Sequence, residues 1–506
     1  MLKNLIKKAL TFSLGLSAYL LQGQDQIPLF KTQNAFGQID FLSVNMPKKE
    51  VNMGFSGVHY NLKINDWSYA GLGMYSSISG IRGGFFTLGV NAGIQKKLTN
   101  KLFLDSGIHF GGGGGASAPD GGGAFILPHI NLGYNFDYFS INAGYSYINF
   151  FDEGLIKSNQ FNIALQIPLS FNYTTFNNKE ISCSIEKLKG TDWGNIPVNK
   201  NSLFVHLNNM NVTKGNYNGK TIHLAGFEFN SYLNDNFFYF IKSDGAYKGI
   251  KAGYMDLFIG AGYQLYFNKK RTNILTKFGI GAGGGGGVDT QGGFLLYPDI
   301  SLEQKLFDNI YFSLNKGYVL SPNTHFSASS FGYGLKYYVD KDGASSNQST
   351  YSLGKFKGIE AIIKQDFYTD AQRDKNTKQD LHQISFQINF FLNEHIFVAG
   401  QAAFANFGDA GAYAEGIVGL GIKSNRFFRN STYIFTQMLG GAAGGGGIST
   451  GQGLILKPSI GLDFKLNRML SFRLGTGFIK AKRGALDTSI FNLGINYKFS
   501  FLSMKN

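Results

Sequence analysis

Three times the chain spells a glycine tract, then a small polar loop, then an apolar strand containing Pro-x-Ile-x-Leu: Gly111 to Leu132, Gly283 to Leu302 and Gly444 to Leu462. Each proline (Pro128, Pro298, Pro458) is followed 33 residues later by a phenylalanine that opens an alternating strand: Phe161, Phe331 and Phe491. A period of this length is the mark of an internal triplication, and it constrains the architecture before any single residue is considered.

The repeating unit reads as strands. Phe491, Leu493, Ile495, Tyr497, Phe499 and Phe501 alternate with Asn492, Gly494, Asn496, Lys498 and Ser500, and successive side chains on a strand point to opposite faces. Phe161 to Phe171 and Phe331 to Tyr337 repeat the pattern, with one apolar face and one polar or small face.

Composition identifies the solvent that the apolar face meets. Phe 48, Tyr 27 and Gly 68 stand beside only 16% charged residues and nine prolines, whereas a soluble sandwich exposes fewer aromatics. Tilted strands of ~9–11 residues cross a bilayer with aromatics outward and small or polar groups inward. Mean hydropathy is near zero, as expected when half the positions face away from lipid.

The N-terminus fits a secreted chain. Lys3, Lys7 and Lys8 precede an apolar stretch from Ala9 to Leu21, and Gln22-Gly23-Gln24 offers a small residue for cleavage, so residues 1–23 read as a Sec signal peptide. The stretch has no cysteine for a lipoprotein anchor, and no later apolar run approaches the ~18 residues of a membrane helix. Lipid-facing strands without helices predict a closed barrel, because open sheet edges do not persist in hydrocarbon.

In its terminal strand the sequence resembles the outer-membrane β-barrel proteins of Gram-negative bacteria. Gly494, Tyr497 and Phe499 resemble the spacing of the C-terminal signal read by the barrel-assembly machinery, although the chain continues past Phe501 through Leu502-Ser503-Met504-Lys505-Asn506. The resemblance covers the mature chain as a class and implies a location in the cell outer membrane, with membrane lipid and the assembly machinery as partners.

The fold class expected is all-β: a transmembrane antiparallel barrel built from three ~160-residue repeats of about eight strands. In the middle copy the strands fall near 202–212, 220–234, 236–246, 252–268, 271–284, 291–306, 309–320 and 327–340. The expected organisation is a signal peptide 1–23, barrel repeats over 24–173, 202–340 and 354–506, and linkers over 174–201 and 341–353. One closed ring of about 24 strands is the favoured architecture, and three tandem eight-stranded barrels are the alternative. The long polar link from Thr174 to Ser202 counts against the single ring.

The glycine tracts lack the following helix that phosphate-binding fingerprints require, since Gly283–Gly287 runs into Val288-Asp289-Thr290 and another strand. They read either as a smooth strip of strand against which neighbours press closely, or as loops that constrict a pore or meet a protein partner. Gly111, Gly115, Gly283, Gly287, Gly444 and Gly447 bound that candidate site.

The net charge is +15, and removing Lys3, Lys7 and Lys8 lowers it by three to +12. Inward-facing cations would favour anions in a pore. Many of the charges, including Lys96, Lys97, Lys269, Lys270, Arg271, Arg426 and Arg429, instead fall in turns. Nucleic acid is not an expected partner of a secreted barrel, and no cofactor or metal motif is present.

His129, Asp299 and Ser459 follow the three repeat prolines and together hold the residue types of a hydrolase triad. Around a wide ring they would lie tens of ångströms apart. His109 and His129 beside Asp105, Ser106 and Asp120 are the raw material for a surface hydrolase, but the other two copies lack matching histidines. The expectation is therefore a non-enzyme: a porin-like channel or transport barrel for small solutes, with an anion preference attached to it. The alternatives are a structural or accessory subunit of an outer-membrane assembly, secretion or adhesion complex, and, third, an outer-membrane hydrolase.

Overall fold

A computed structural model describes residues 27–505 apart from 323, 342, 346–350 and 376. The expected signal peptide lies outside the described residues.

Among the described residues twenty-five strands are formed, and all pairings between them are antiparallel. In the second block they run Asn199–Lys214, Thr221–Tyr232, Phe237–Lys248, Met255–Phe267, Thr272–Gly284, Phe294–Phe307, Ile310–Leu320 and Ser327–Lys341, within a few residues of the positions expected from the alternating pattern. Period-two alternation and turn residues such as Asn268-Lys269-Lys270 therefore suffice to place these elements.

The pairing corrects the expectation of a single wide ring. The first ring opens with Lys31–Val44 and closes on it with Lys157–Thr175, placing Ile39 opposite Leu165. The second closes Ser327–Lys341 onto Asn199–Lys214, with Leu335 opposite Val205. The third closes Asp487–Lys505 onto Leu353–Gln372, with Ile495 opposite Ile363. Each ring holds eight strands, the number at which the interior is just wide enough to be filled by side chains. The chain supplies long polar residues at the inward positions, and this filling makes separate closure favourable.

The rings are polar inside and apolar outside. On the closing strand of the third ring Asn492, Asn496 and Lys498 are buried while Phe491, Leu493 and Ile495 are exposed. In a soluble barrel the apolar set would be inside, so the order found here requires a hydrocarbon solvent.

All three glycine tracts lie at one end of the rings, among loops such as 115–124, 285–293 and 445–453, and this is called the tract end. The opposite turn end carries tight connections such as 64–67, 98–101 and 308–309. The link between the first two rings also lies at the turn end. Its short helix Ile185–Lys189 is capped by Ser184, whose hydroxyl accepts from the Lys187 amide. Ile185, Leu188 and Trp193 bury against Phe356, Leu502 and Met504 of the third ring. The Trp193 indole donates to the Pro28 carbonyl at 2.9 Å, tying in the start of the first ring. The third ring's long terminal strands reach below their own barrel, where Phe499 and Ser500 pair with Thr175 and Thr174, and Ser503 pairs with Lys341.

Candidate functional site

Two features set this molecule apart from three barrels on a string: a seam at the tract end and a charged filling inside each ring. The seam is built from backbone. The loop after the third strand of each ring donates a main-chain N–H to the glycine-rich loop of the next ring. Gly83 donates to the Gln291 carbonyl at 2.6 Å, Ala252 to Gly451 at 3.4 Å and Gly411 to Gly121 at 3.0 Å. Ring one thus donates to ring two, two to three, and three back to one. This is a head-to-tail interface that closes after three steps, within a single chain.

Close approach demands small residues, as it does wherever backbones meet in lipid. A Cβ on Gly123 would lie 2.7 Å from the Ala405 carbonyl oxygen, one on Gly293 2.5 Å from that of Ser77, and one on Gly453 2.6 Å from that of Ala246. All three glycines also have left-handed φ, at +93°, +97° and +105°. The Ser77 hydroxyl donates across the first junction to the Gly292 carbonyl at 2.9 Å. Asp152 accepts from the Gly408 amide at 3.2 Å across the junction of the first and third rings. Below the seam Phe86, Leu88, Ala282 and Phe404, drawn from all three rings, form one buried cluster.

Asp120 sits inside this region. Its carboxylate accepts from the Gly115 amide at 2.7 Å. Burial, aided by nearby Asp409, raises its pKa to about 7 despite that bond and the opposing charge of Arg82. Arg82 itself forms a two-pronged pair with Glu50, whose pKa is lowered by that hydrogen bond.

The ring interiors are filled with paired groups. In the first ring Asp40 binds His59 at 2.7 Å and accepts from Tyr75 at 2.7 Å, while Asp105 accepts from Tyr69 and Gln166. In the second, Lys277 bridges Glu228 at 2.7 Å and Asp299 at 3.0 Å, and Glu303 binds Lys336 and Tyr338, each at 2.6 Å. In the third, Lys457 joins Asp366 at 2.8 Å to Glu415 at 3.0 Å, and Glu360 accepts from Tyr433. Buried charges persist only when paired and hydrogen-bonded in this way.

Of the residues that bounded the glycine site, Gly444 meets another ring directly: a Cβ there would lie 2.5 Å from that of Ala252. Gly111 packs on the Leu88 carbonyl, Gly115 on that of Gly84, and Gly283 on Leu295, all within their own rings. Gly287 lies against Tyr217, and Gly447 against the Arg373 guanidinium. Gly494, Tyr497 and Phe499 lie on the strand that closes the third ring, opposite Lys364, Ala361 and Ile359. Sequence reasoning missed Gly83, Ala252 and Gly411. Their signal was legible as a small pair before an aromatic in each block, Gly83-Gly84-Phe85, Ala252-Gly253-Tyr254 and Gly411-Ala412-Tyr413.

His129, Asp299 and Ser459 lie in three different rings. The Nε2 of His129 is 3.5 Å from Asp105, but the Ser106 hydroxyl donates to the His129 backbone carbonyl instead of its ring. No serine–histidine pair of the kind a hydrolase needs is therefore assembled among these residues. Lys269, Lys270, Arg271 and Arg429 are exposed in turns, while Lys96 and Lys97 are exposed at the end of the strand Phe86–Lys97.

Closed antiparallel rings with polar buried interiors and an apolar exterior define a transmembrane β-barrel protein of the outer-membrane type. No protein-family model and no curated protein matches the chain. Among solved structures it is similar to a mutant ferric enterobactin receptor from Pseudomonas aeruginosa, at 9% identity and TM-score 0.28, covering 92% of this chain and 80% of that one. It is also similar to the siderophore receptor PirA from the same organism, at 7% identity and TM-score 0.27 over 94% of this chain and 81% of that one. A third similar structure, OccK1 of Pseudomonas aeruginosa, gives 11% identity and TM-score 0.24 over 93% of this chain and 98% of that one. Likeness at this level carries no functional argument.

Proposed function

We propose that this chain is a structural or accessory subunit of an outer-membrane assembly: a rigid three-barrel platform that does not conduct solutes through its rings. The observation that carries this reading is the filling of each separately closed ring by paired charged and polar side chains, such as Glu228, Lys277 and Asp299 in the second. The porin-like channel and its anion preference depended on one wide lumen, and separate closure removes their main support. The platform belongs in the outer membrane of a Gram-negative cell, delivered by the Sec pathway and inserted by the barrel-assembly machinery through the strand bearing Gly494, Tyr497 and Phe499. A protein partner would meet the exposed faces of the tract-end loops, since the carbonyls of Gly121, Gln291 and Gly451 are engaged between rings.

Planar-bilayer recording of the folded, inserted full chain tests the reading. Electrical silence is the expected result. Large ohmic steps would overturn it and restore the channel.

A further inference from the structure

The three rings do not pack flush along their whole length. They leave between them a partly open central chamber of about 3330 Å³, several times the size of an ordinary small-ligand pocket of ~300–1,000 Å³. Its walls are the outward, lipid-type faces of all three rings, including Tyr60, Leu72, Val205, Ile259, Ile363 and Val418. The Phe86 cluster closes over it towards the tract end.

The turn end of the chamber differs in character. There the lining includes Lys63 at the end of the second strand, Lys341 at the end of the strand that closes the second ring, and Arg468 in a tight turn of the third ring. One cation comes from each ring, at one end of a hydrocarbon-lined space.

We propose that this chamber holds the acyl chains of a glycerophospholipid, with its phosphate at the Lys63, Lys341 and Arg468 end. Three observations select that occupant. Apolar walls of this extent exclude water, which finds no hydrogen-bond partners on them. Left empty, the space would forfeit dispersion contacts along every wall, and side chains cannot relax far enough to fill it. Of the cations beside it, Lys63, Lys341 and Arg468 stand at the turn end, while Lys336 is buried inside the second ring against Glu303, so charge and apolar surface together match an anionic headgroup on hydrocarbon chains. Short turns mark that end as periplasmic, and the inner leaflet of the outer membrane is therefore the source.

The inference is independent of the platform reading, which conductance tests by itself. The experiment here is phospholipid quantification by native mass spectrometry of the full chain after exhaustive detergent exchange. Two glycines provide a substitution that narrows the chamber without disturbing the rings. A Cβ on Gly416 would meet nothing within 4 Å, and one on Gly400 would meet only Val418 at 3.9 Å. Both residues line the chamber.

The expected result is whole phospholipid molecules retained by the wild type and fewer retained by Gly400→Trp/Gly416→Trp, with the heat-modifiable folded band preserved. Lys63→Gln/Arg468→Gln should weaken retention by about tenfold or more, since two cations facing an anionic headgroup are neutralised. Absence of retained phospholipid from the wild type would overturn the proposal. So would retention by the tryptophan variant and by Lys63→Gln/Arg468→Gln equal to that of the wild type, because the lipid would then be the outer annulus.

Discussion

A Cβ atom on Gly453 would lie 2.6 Å from the carbonyl oxygen of Ala246, across the junction between the third and second rings. The same relationship links Gly293 to Ser77 and Gly123 to Ala405. Each glycine is required twice over, by the approaching backbone and by its left-handed φ. Within the polyglycine tracts a Cβ on Gly112 would lie 2.4 Å from the Ala405 carbonyl oxygen, one on Gly284 2.7 Å from that of Gly83, and one on Gly444 2.5 Å from the Cβ of Ala252, which explains why such tracts persist in a chain whose other strands are rich in bulky apolar residues. They are the surfaces on which one barrel meets the next.

Gly453→Ala should therefore destabilise the assembly by about 2 kcal/mol or more, combining a left-handed non-glycine residue with a backbone overlap. Gly293→Ala and Gly123→Ala should behave alike, because their surroundings correspond. Gly416→Ala, whose Cβ meets open space, should leave the midpoint unchanged. The temperature at which the folded band is lost on semi-native gels measures all four. Equal tolerance of alanine at all four sites would refute the seam as a source of stability.

The filled interiors lead to a second expectation. Lys336 is buried against Glu303 and Glu228, so Lys336→Met leaves Glu303 without its cation while Glu228 keeps Lys277. Breaking a buried pair in this way costs ~3–5 kcal/mol. Lys336→Met combined with Glu303→Leu should recover much of the loss, because the uncompensated charge is gone. Urea unfolding from detergent measures both variants, and a double variant no better than the single would argue against charge pairing as the cause.

The strand pattern, the membrane class and the ends of most elements were legible in the sequence, because alternation of Phe491 to Ser500 is a local property. Ring closure was not. Whether Asp487–Lys505 pairs with Leu353–Gln372 or with a strand of another block depends on contacts more than a hundred residues apart and on whether side chains fill eight strands. Local alternation is the same in both cases. The polar link from Thr174 to Ser202 did carry that information. It leaves the ring and folds under the turn end, where Trp193 is fully buried. The glycine tracts were recognisable as a site, but their partners in the loops at Gly83, Ala252 and Gly411 become meaningful only once the rings are placed side by side.

The turn-end hub should be sensitive to Trp193→Ala. The indole packs edge-on against Phe30 at 4.7 Å and Phe356 at 5.2 Å between ring centroids, and its N–H holds Pro28. Removing a buried aromatic of this kind costs ~3–5 kcal/mol. The three rings close without it, so the effect should be local. Limited proteolysis should cut the 174–198 link rapidly while each ring stays resistant. Loss of folding in all three rings would show instead that the hub nucleates the whole chain.

Asp120 makes the seam responsive to pH. Its pKa stands at about 7 in the folded loop against an ordinary value of 3.8, so between these values the folded loop holds a proton that an opened loop has released. Protonation favours the closed loop, and its opening free energy falls as pH rises through this window and levels off above about 7. The next residue, Gly121, accepts the hydrogen bond from Gly411, which couples the titration to the junction of the first and third rings. Hydrogen exchange over 115–124, corrected for the intrinsic rate, should show greater protection at about pH 5.5 than at about pH 8.5. Asp120→Asn should abolish the difference, since an amide does not titrate. Equal protection of the wild type at both values would remove Asp120 from this role.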